Sequence, residues 1–477
     1  MRWLVAVYPK SHSRPGTEID DGVESCRQVQ SSAIEGFLSD QYTAAIVNQD
    51  SQIKKMKKAT LTFLMLSTAI SLVAQKQCVV RGEIVGRDSK VLLVRKCSDS
   101  FRSFANRPIR ISIKNKKFEY IFQFLESEAY ELIFEDEIKK GSWRAITFFP
   151  TEGVVELKLY PQDNWAKNII NGGVLNAEFE SYQVTNREIF DKRRNQLLKI
   201  QDELSQNDEY DTPEYQELTN QLRATKSDDH NARVSVFQKR EELEKTYARY
   251  TEKAKRLFIE PYDSLIEAEL NWRYEYIKNN PSIVSFYLMW SDVEMQMKDN
   301  PRVAQLVMRV FPMYEKGYPE HTYTKIVGNQ IAGLRTIKIG NKYIDVKAPT
   351  VDGDTVQLST VIQDHVSLID MWGSWCGPCI AKSRLVVPIY EQYKDKGFRI
   401  VGIAREFKNT DAAKKRIIKE KFSWLNLVEL DDRQNIWNTY GISNGTGLMV
   451  LVDKDGTILS IDPKPEELEE ILRQKLN

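Results

Sequence analysis

Cysteine is scarce in this 477-residue chain, which holds five. Beside its one Cys-x-x-Cys there is no second Cys-x-x-Cys and no His-x-x-x-His. The further ligands of a structural zinc site are therefore missing at the required spacing, and no metal site is expected. Charge of one sign is lacking too: 68 Lys and Arg against 67 Asp and Glu leave a formal net charge of +1. That balance gives no electrostatic case for binding nucleic acid. No apolar run reaches the ~18–20 residues of a confident membrane span. With 42% hydrophobic and 28% charged residues the chain reads as globular, with room for roughly two to four domains.

What is there is the run Trp375-Cys376-Gly377-Pro378-Cys379. The apolar stretch Val366–Trp372 before it reads as a buried strand, and residues 380–394 after it read as helix. The cysteines therefore fall on a strand-to-helix turn. Two sulfurs at this spacing close a small disulfide and open it again. At a helix N-terminus, unpaired N–H groups and the macrodipole favour a thiolate. Cys376, nearer the helix start and the solvent, is the expected attacking group. Lowering its pKa from ~8.5 toward ~7 corresponds to about 2 kcal/mol of preferential thiolate stabilisation. Cys379 is expected to resolve the mixed disulfide, while Pro378 denies the turn a backbone donor and stiffens it. Asp370 lies in the middle of the apolar strand, where a charged carboxylate is costly. A raised pKa there would let it take up the proton that Cys379 must lose. Trp372 and Trp375 are expected to pack and shield.

The N-terminal region reads as an export signal in an unusual place. Lys54-Lys55-Met56-Lys57-Lys58 is basic, residues 59–74 are apolar, and Leu72-Val73-Ala74 ends small before Gln75. Export signals are read from the end of a chain. Met56 is therefore the expected initiator, residues 1–55 an over-extended reading frame or a disordered segment, and 56–74 the signal peptide; the alternative is a genuine extension followed by a buried apolar helix. If uncleaved, that segment is the expected membrane contact. Lys76-Gln77 before Cys78 fits no lipobox. Setting residues 1–55 aside removes Cys26 and leaves Cys78, Cys97, Cys376 and Cys379, an even count that suggests two pairs in an oxidising compartment. Residues 78–85 and 91–97 look like a hairpin around Gly86-Arg87-Asp88-Ser89-Lys90. That register sets Cys78 opposite Cys97, where facing Cβ atoms lie ~4.5–5.5 Å apart, close enough for a structural disulfide. The alternative is two separately buried thiols.

Residues 76–170 carry short alternating apolar runs at 109–113, 118–124, 130–134, 145–149 and 154–159. They predict a small antiparallel β domain without a catalytic constellation. After Gly172-Gly173 the texture changes. Residues 174–336 predict a helical linker region: long charged helices interrupted near 207–213 and 227–230, then helices at 283–297, 301–314 and 322–334. Met295 and Met297 are expected as packing. Residues 340–477 predict a hairpin, a strand, a helix, a strand at 398–404 and a helix at 411–422. A short helix at 433–440 precedes two strands joined by Asp453-Lys454-Asp455-Gly456, then a closing helix.

With the motif, its strand and Leu451-Val452-Asp453-Lys454-Asp455-Gly456 in place, residues 340–477 resemble an α/β thioredoxin-fold domain. They look most like the exported TlpA/ResA-like (AhpC/TSA) thiol–disulfide oxidoreductases. Lys347-Ala348-Pro349 before Asp352-Gly353 and Leu358-Ser359 is similar to that family's N-terminal hairpin. The domain order, with Asn280-Pro281-Ser282-Ile283-Val284-Ser285 in its helical part, resembles multidomain envelope proteins of Bacteroidetes. The resemblance implies a protein-disulfide reductase of the periplasm or cell envelope that needs no cofactor. It implies disulfide-bearing envelope proteins as substrates and a membrane thiol electron donor. Gly377-Pro378 is the dipeptide of the reducing thioredoxins, and a buried acid stands at the position of Asp370.

Two departures from the family pattern bear on function. Gly447, after Thr446, stands where relatives carry a cis-proline in the loop that docks substrate. A cis bond before a non-proline residue costs ~3–4 kcal/mol, so a trans Thr446–Gly447 bond is expected, with altered docking. Arg384 stands where relatives often have a helix proline, and Pro388 one turn later is the expected source of the kink. An envelope scaffold that docks partners through a thioredoxin domain is a competing reading. A thiol peroxidase is a weaker one, since no PxxxTxxC setting precedes Cys376.

Overall fold

The computed structural model describes residues 76–99, 108–226, 229–442 and 447–476. The expected non-native extension 1–55, the signal segment 56–74, Cys26 and Thr446 with its peptide bond to Gly447 lie outside the described residues.

Alternating apolar residues build the first strands: β1 (Lys76–Ile84), β2 (Val91–Lys96), β3 (Ile109–Ser112), β4 (Lys117–Phe124) and β5 (Tyr130–Phe134). After helix α1 (Glu135–Lys140) come β6 (Ile146–Phe148), β7 (Gly153–Leu159) and β8 (Ile169–Asn171). They form two four-stranded sheets, β4-β1-β7-β8 and β3-β2-β5-β6. Val80, Leu92, Phe122, Leu132, Phe148 and Val155 contribute to one core shared by both. Pairing is antiparallel except where β1 runs parallel to β7.

The expected β1–β2 hairpin does not form, and with it goes the expected Cys78–Cys97 disulfide. Cys78 is opposite Phe122 and Gly153 in one sheet, whereas β2 pairs with β3 and β5 in the other. Both cysteines are buried free thiols in different cores. Burial holds the Cys97 thiol well above its usual pKa, which keeps it inert. The physical reason for the crossing lies in the connection between the strands. Arg87 reaches Glu137 at 2.6 Å and Asp136 at 3.0 Å, and Ser89 donates to Asp136 at 2.7 Å. The Arg87 guanidinium also sits 3.5 Å from the centre of the Phe134 ring. These charge-assisted contacts carry the chain across to the second sheet instead of letting it fold back.

The charged region folds into α2 (Val174–Gln206), α3 (Pro213–Ala224), α4 (His230–Lys245), α5 (Glu260–Asn279), α6 (Ile283–Met295), α7 (Pro301–Gly317) and α8 (Thr322–Thr336). The break between α2 and α3 falls where the sequence places it, a further break at residues 246–251 was not expected, and α5 has no counterpart among the expected helices. Met297 packs as expected at 2% exposure, whereas Met295 is 73% exposed. No helix of the described residues is long and apolar enough to cross a membrane. Helix α8 touches both neighbouring regions: the Tyr323 hydroxyl accepts the Ala129 N–H at 2.9 Å, and Gly333 lies directly against Gly441.

The remaining elements are β9 (Lys347–Pro349), β10 (Thr355–Gln357), α9 (Leu358–Ile362), β11 (Val366–Trp372), α10 (Gly377–Tyr393) and β12 (Phe398–Glu406). They continue with α11 (Asp411–Glu420), β13 (Leu425–Leu430), α12 (Ile436–Thr439), β14 (Leu448–Val452), β15 (Ile458–Ile461) and α13 (Pro465–Leu476). The sheet order β13-β12-β11-β14-β15 puts β11 in the centre, and all seven of its residues are buried. This is the expected thioredoxin fold with one strand more than the sequence suggested. β13 escapes a reading by apolar runs because Asn426 and Glu429 interrupt it; both are buried polar residues. Glu429 accepts the N–H groups of Gln434, Asn435 and Ile436 at 2.8, 3.0 and 2.7 Å, so its polarity serves the following turn.

The two-residue period of β11 sorts its side chains. Leu368 and Trp372 join the core under α10 and α13, while Ile369 and Met371 join the opposite one. Asp370 falls on the α10 side, under the helix that begins at the cysteines.

Candidate active site

The active turn grows from the end of β11. Trp372 anchors it below, its indole N–H donating to Asn426 Oδ1 at 3.1 Å. Ser374 is held twice by the buried Glu406, through its N–H at 2.7 Å and its hydroxyl at 2.8 Å. The Trp375 indole N–H donates to the Arg405 carbonyl at 2.8 Å. Arg405 is itself fixed by a bidentate pair with Asp432, at 2.6 and 2.7 Å. The turn is thus clamped to the C-terminal end of β12 through the two residues that precede Cys376. Trp372 and Trp375 pack as expected, and each also makes a specific hydrogen bond.

Cys376 is the N-cap of α10, with φ −90° and ψ 91°, and its sulfur accepts the Cys379 N–H at 3.3 Å. Gly377 and Pro378 open the first turn, where a missing N–H costs nothing. Cys376 and Cys379 are joined by a disulfide with Cα atoms 5.3 Å apart. Exposure does not separate the two cysteines as residues: Cys376 is 3% and Cys379 5% exposed. The expectation that Cys376 lies nearer the solvent is corrected. What distinguishes it is its place at the helix N-terminus, where an anion is favoured.

Asp370 is 1% exposed. Burial raises its pKa from 3.8 to about 7, with the nearby Asp462 adding to the rise and Ser383 and Lys382 opposing it. Ser383 lies one turn beyond Cys379 on α10. Its Oγ is 2.7 Å from Asp370 Oδ2 and 3.0 Å from the Cys379 carbonyl oxygen. A hydroxyl has one proton to donate. With Asp370 ionised, Ser383 donates to it. With Asp370 protonated, the carboxyl donates to Ser383, which turns its own proton to Cys379. A single hydroxyl thus links the charge state of Asp370 to the helix that carries the cysteines.

Replacing Ser383 by Ala removes a hydrogen bond to the charged form of Asp370, so the carboxyl midpoint should rise by about one unit. Carbon-detected NMR of the Asp370 carboxyl reads this directly. A midpoint that stays put or falls would refute the link.

Gly447 immediately precedes β14 beside this centre, and its N–H donates to Cys379 Sγ at 3.1 Å. Arg384 pairs with Glu420 of α11 at 2.7 Å, and Pro388 lies inside α10 as expected. Sequence reasoning found Cys376, Cys379 and Asp370 and missed Ser383, Arg405 and Glu406. The signals were present: a serine four residues after Cys379, and two charged residues ending the apolar strand β12. Among the described residues no group of His, Cys, Asp or Glu is arranged to hold a metal ion.

The Redoxin family model matches residues 338–476. Over 144 residues the chain is 30% identical to thiol-disulfide oxidoreductase ResA of Bacillus thuringiensis subsp. konkukian, covering 29% of this chain and 79% of the relative. This chain belongs to the ResA-like family of thiol–disulfide oxidoreductases. Thioredoxin of Bacillus subtilis is 26% identical over 119 residues, 25% of this chain and 89% of that protein. Among solved structures, the thioredoxin domain of a thiol-disulfide oxidoreductase from Bacteroides vulgatus is 24% identical. It covers 30% of this chain and 99% of that one, with a TM-score of 0.27. The Redoxin match lies in the C-terminal part of the chain, and the β and helical regions stand outside it.

Proposed function

We propose that this ResA-like chain reduces disulfides of envelope proteins through Cys376 and Cys379. The observation that carries the proposal is the bonded pair at the start of α10, set over a buried carboxyl whose pKa lies near neutrality. In the reduced chain, the Cys376 thiolate attacks one sulfur of a substrate disulfide. A mixed disulfide forms, and the other substrate sulfur leaves as a thiolate. Cys379 loses its proton toward the ionised Asp370 and attacks Cys376 Sγ. The Cys376–Cys379 bond forms and the second substrate thiolate departs. Two electrons have moved from the dithiol to the substrate.

Gly377-Pro378 favours the reducing direction, and the basic and apolar residues 54–74 support export from Met56. A membrane thiol electron donor would then restore the dithiol. The test uses the full chain in two arms. With dithiothreitol as donor, it should accelerate the reduction of insulin disulfides. N-terminal sequencing of the exported protein should read Gln75 first. Intact cysteines without turnover would favour a scaffold, and a product retained inside the cell would end the export reading.

A further inference from the structure

The contact between Gly447 and Cys379 is not explained by substrate docking, because it faces inward. The amide nitrogen lies 3.1 Å from the sulfur, and both residues are buried. The backbone that presents this amide is held by the β11–β14 pairing, in which Leu448 is opposite Met371. A Cβ at residue 447 would lie 1.7 Å from the Met371 carbonyl oxygen and 3.2 Å from Cys379 Sγ. Any side chain there forces the strand away. A proline, in addition, has no N–H to give.

We infer that the Gly447 amide is a positioning donor for the Cys379 thiolate, a polar contact that the family's proline would not supply. The inference rests on the reading of Cys379 as the resolving thiol. In the disulfide the sulfur is neutral and a weak acceptor. When the pair is reduced by two electrons and the Cys379 proton departs, the sulfur carries a full charge and the same N–H becomes a charge-assisted donor. The bond therefore strengthens in the reduced, ionised state. It favours that state over the disulfide and eases the proton loss that resolution requires. Asp370 acts in the opposite sense when ionised, since its charge disfavours a second anion nearby. The titratable groups that act on this centre are Cys376 on α10, Asp370 on β11, and the pair Lys382–Asp462 at 3.3 Å, whose charges bear on Asp370. Gly447 supplies a donor that none of them provides.

The test uses the full-length Cys376→Ser chain, in which Cys379 is left as the one active-site thiol. With ¹⁵N-labelled glycine, the Gly447 amide proton should move downfield with the same pH midpoint as Cys379, read from thiolate absorbance. In the same background, Gly447→Pro should raise the Cys379 midpoint by about one unit, a tenfold loss of thiolate at neutral pH. Gly447→Ala, which keeps the N–H but must displace Met371, should raise it less. If the proline variant does not fold, the amide shift alone decides. An amide proton indifferent to Cys379 ionisation, or equal midpoints in the proline and alanine variants, overturns the inference. Failure of insulin reduction by the unmodified chain, with the amide shift intact, would sink the reductase reading and leave the donor in place.

Discussion

Cys376→Ser should abolish insulin reduction, lowering the rate on the order of 10³-fold or more, as removal of an obligatory nucleophile does. The reason is positional. Cys376 caps α10, where its sulfur accepts the Cys379 N–H, and a serine oxygen there stays protonated and unreactive toward disulfides. Cys379→Ser should behave differently. The first attack survives, resolution does not, and the chain accumulates mixed disulfides that identify its substrates. A Cys376→Ser chain that keeps more than a tenth of the activity would show that another group attacks. A Cys379→Ser chain that turns over at the normal rate would remove the resolving step from the mechanism.

Asp370→Asn should make the protein more stable and less active. The folded carboxyl titrates near 7 against an ordinary 3.8, because burial disfavours its charge. Between those values the folded chain holds a proton that the unfolded chain has already released. Stability therefore falls as pH rises from about 4 to 7 and levels off above. The full difference corresponds to about 4 kcal/mol. Asparagine removes this dependence, so the variant should exceed the parent by up to that amount at pH values above 7, and the gap should close toward pH 4. Denaturant unfolding across pH measures it. The resolving step, deprived of its proton acceptor, should slow by ~10²-fold or more. Identical stability profiles for parent and variant would mean that the carboxyl is not held as described.

The chemistry was legible because it is local. A Cys-x-x-Cys between an apolar strand and a helix defines its own setting, and Asp370 announces itself by standing in a run of buried neighbours. Strand β11 falls on the residues the apolar pattern marks, Val366–Trp372. What escaped depends on contacts distant in the chain. The Cys78–Cys97 pairing assumed that adjacent strands fold back on one another. Arg87 and Ser89 instead bind Asp136 and Glu137, some fifty residues on. Strand β13 was hidden by Asn426 and Glu429, whose polar groups are satisfied by Trp372 and Trp424 and by the turn before α12. The Gly447 contact is a backbone interaction, and a backbone N–H leaves no mark on residue type beyond the absence of proline.

The pH dependence of alkylation in the fully reduced chain bears most directly on the whole account. Cys376 should react first, with a midpoint below the ~8.5 of free cysteine, while Cys379, Cys78 and Cys97 lag behind. A Cys376 that reacts no faster than free cysteine, or only after Cys379, would contradict the claim that this pair is an activated dithiol.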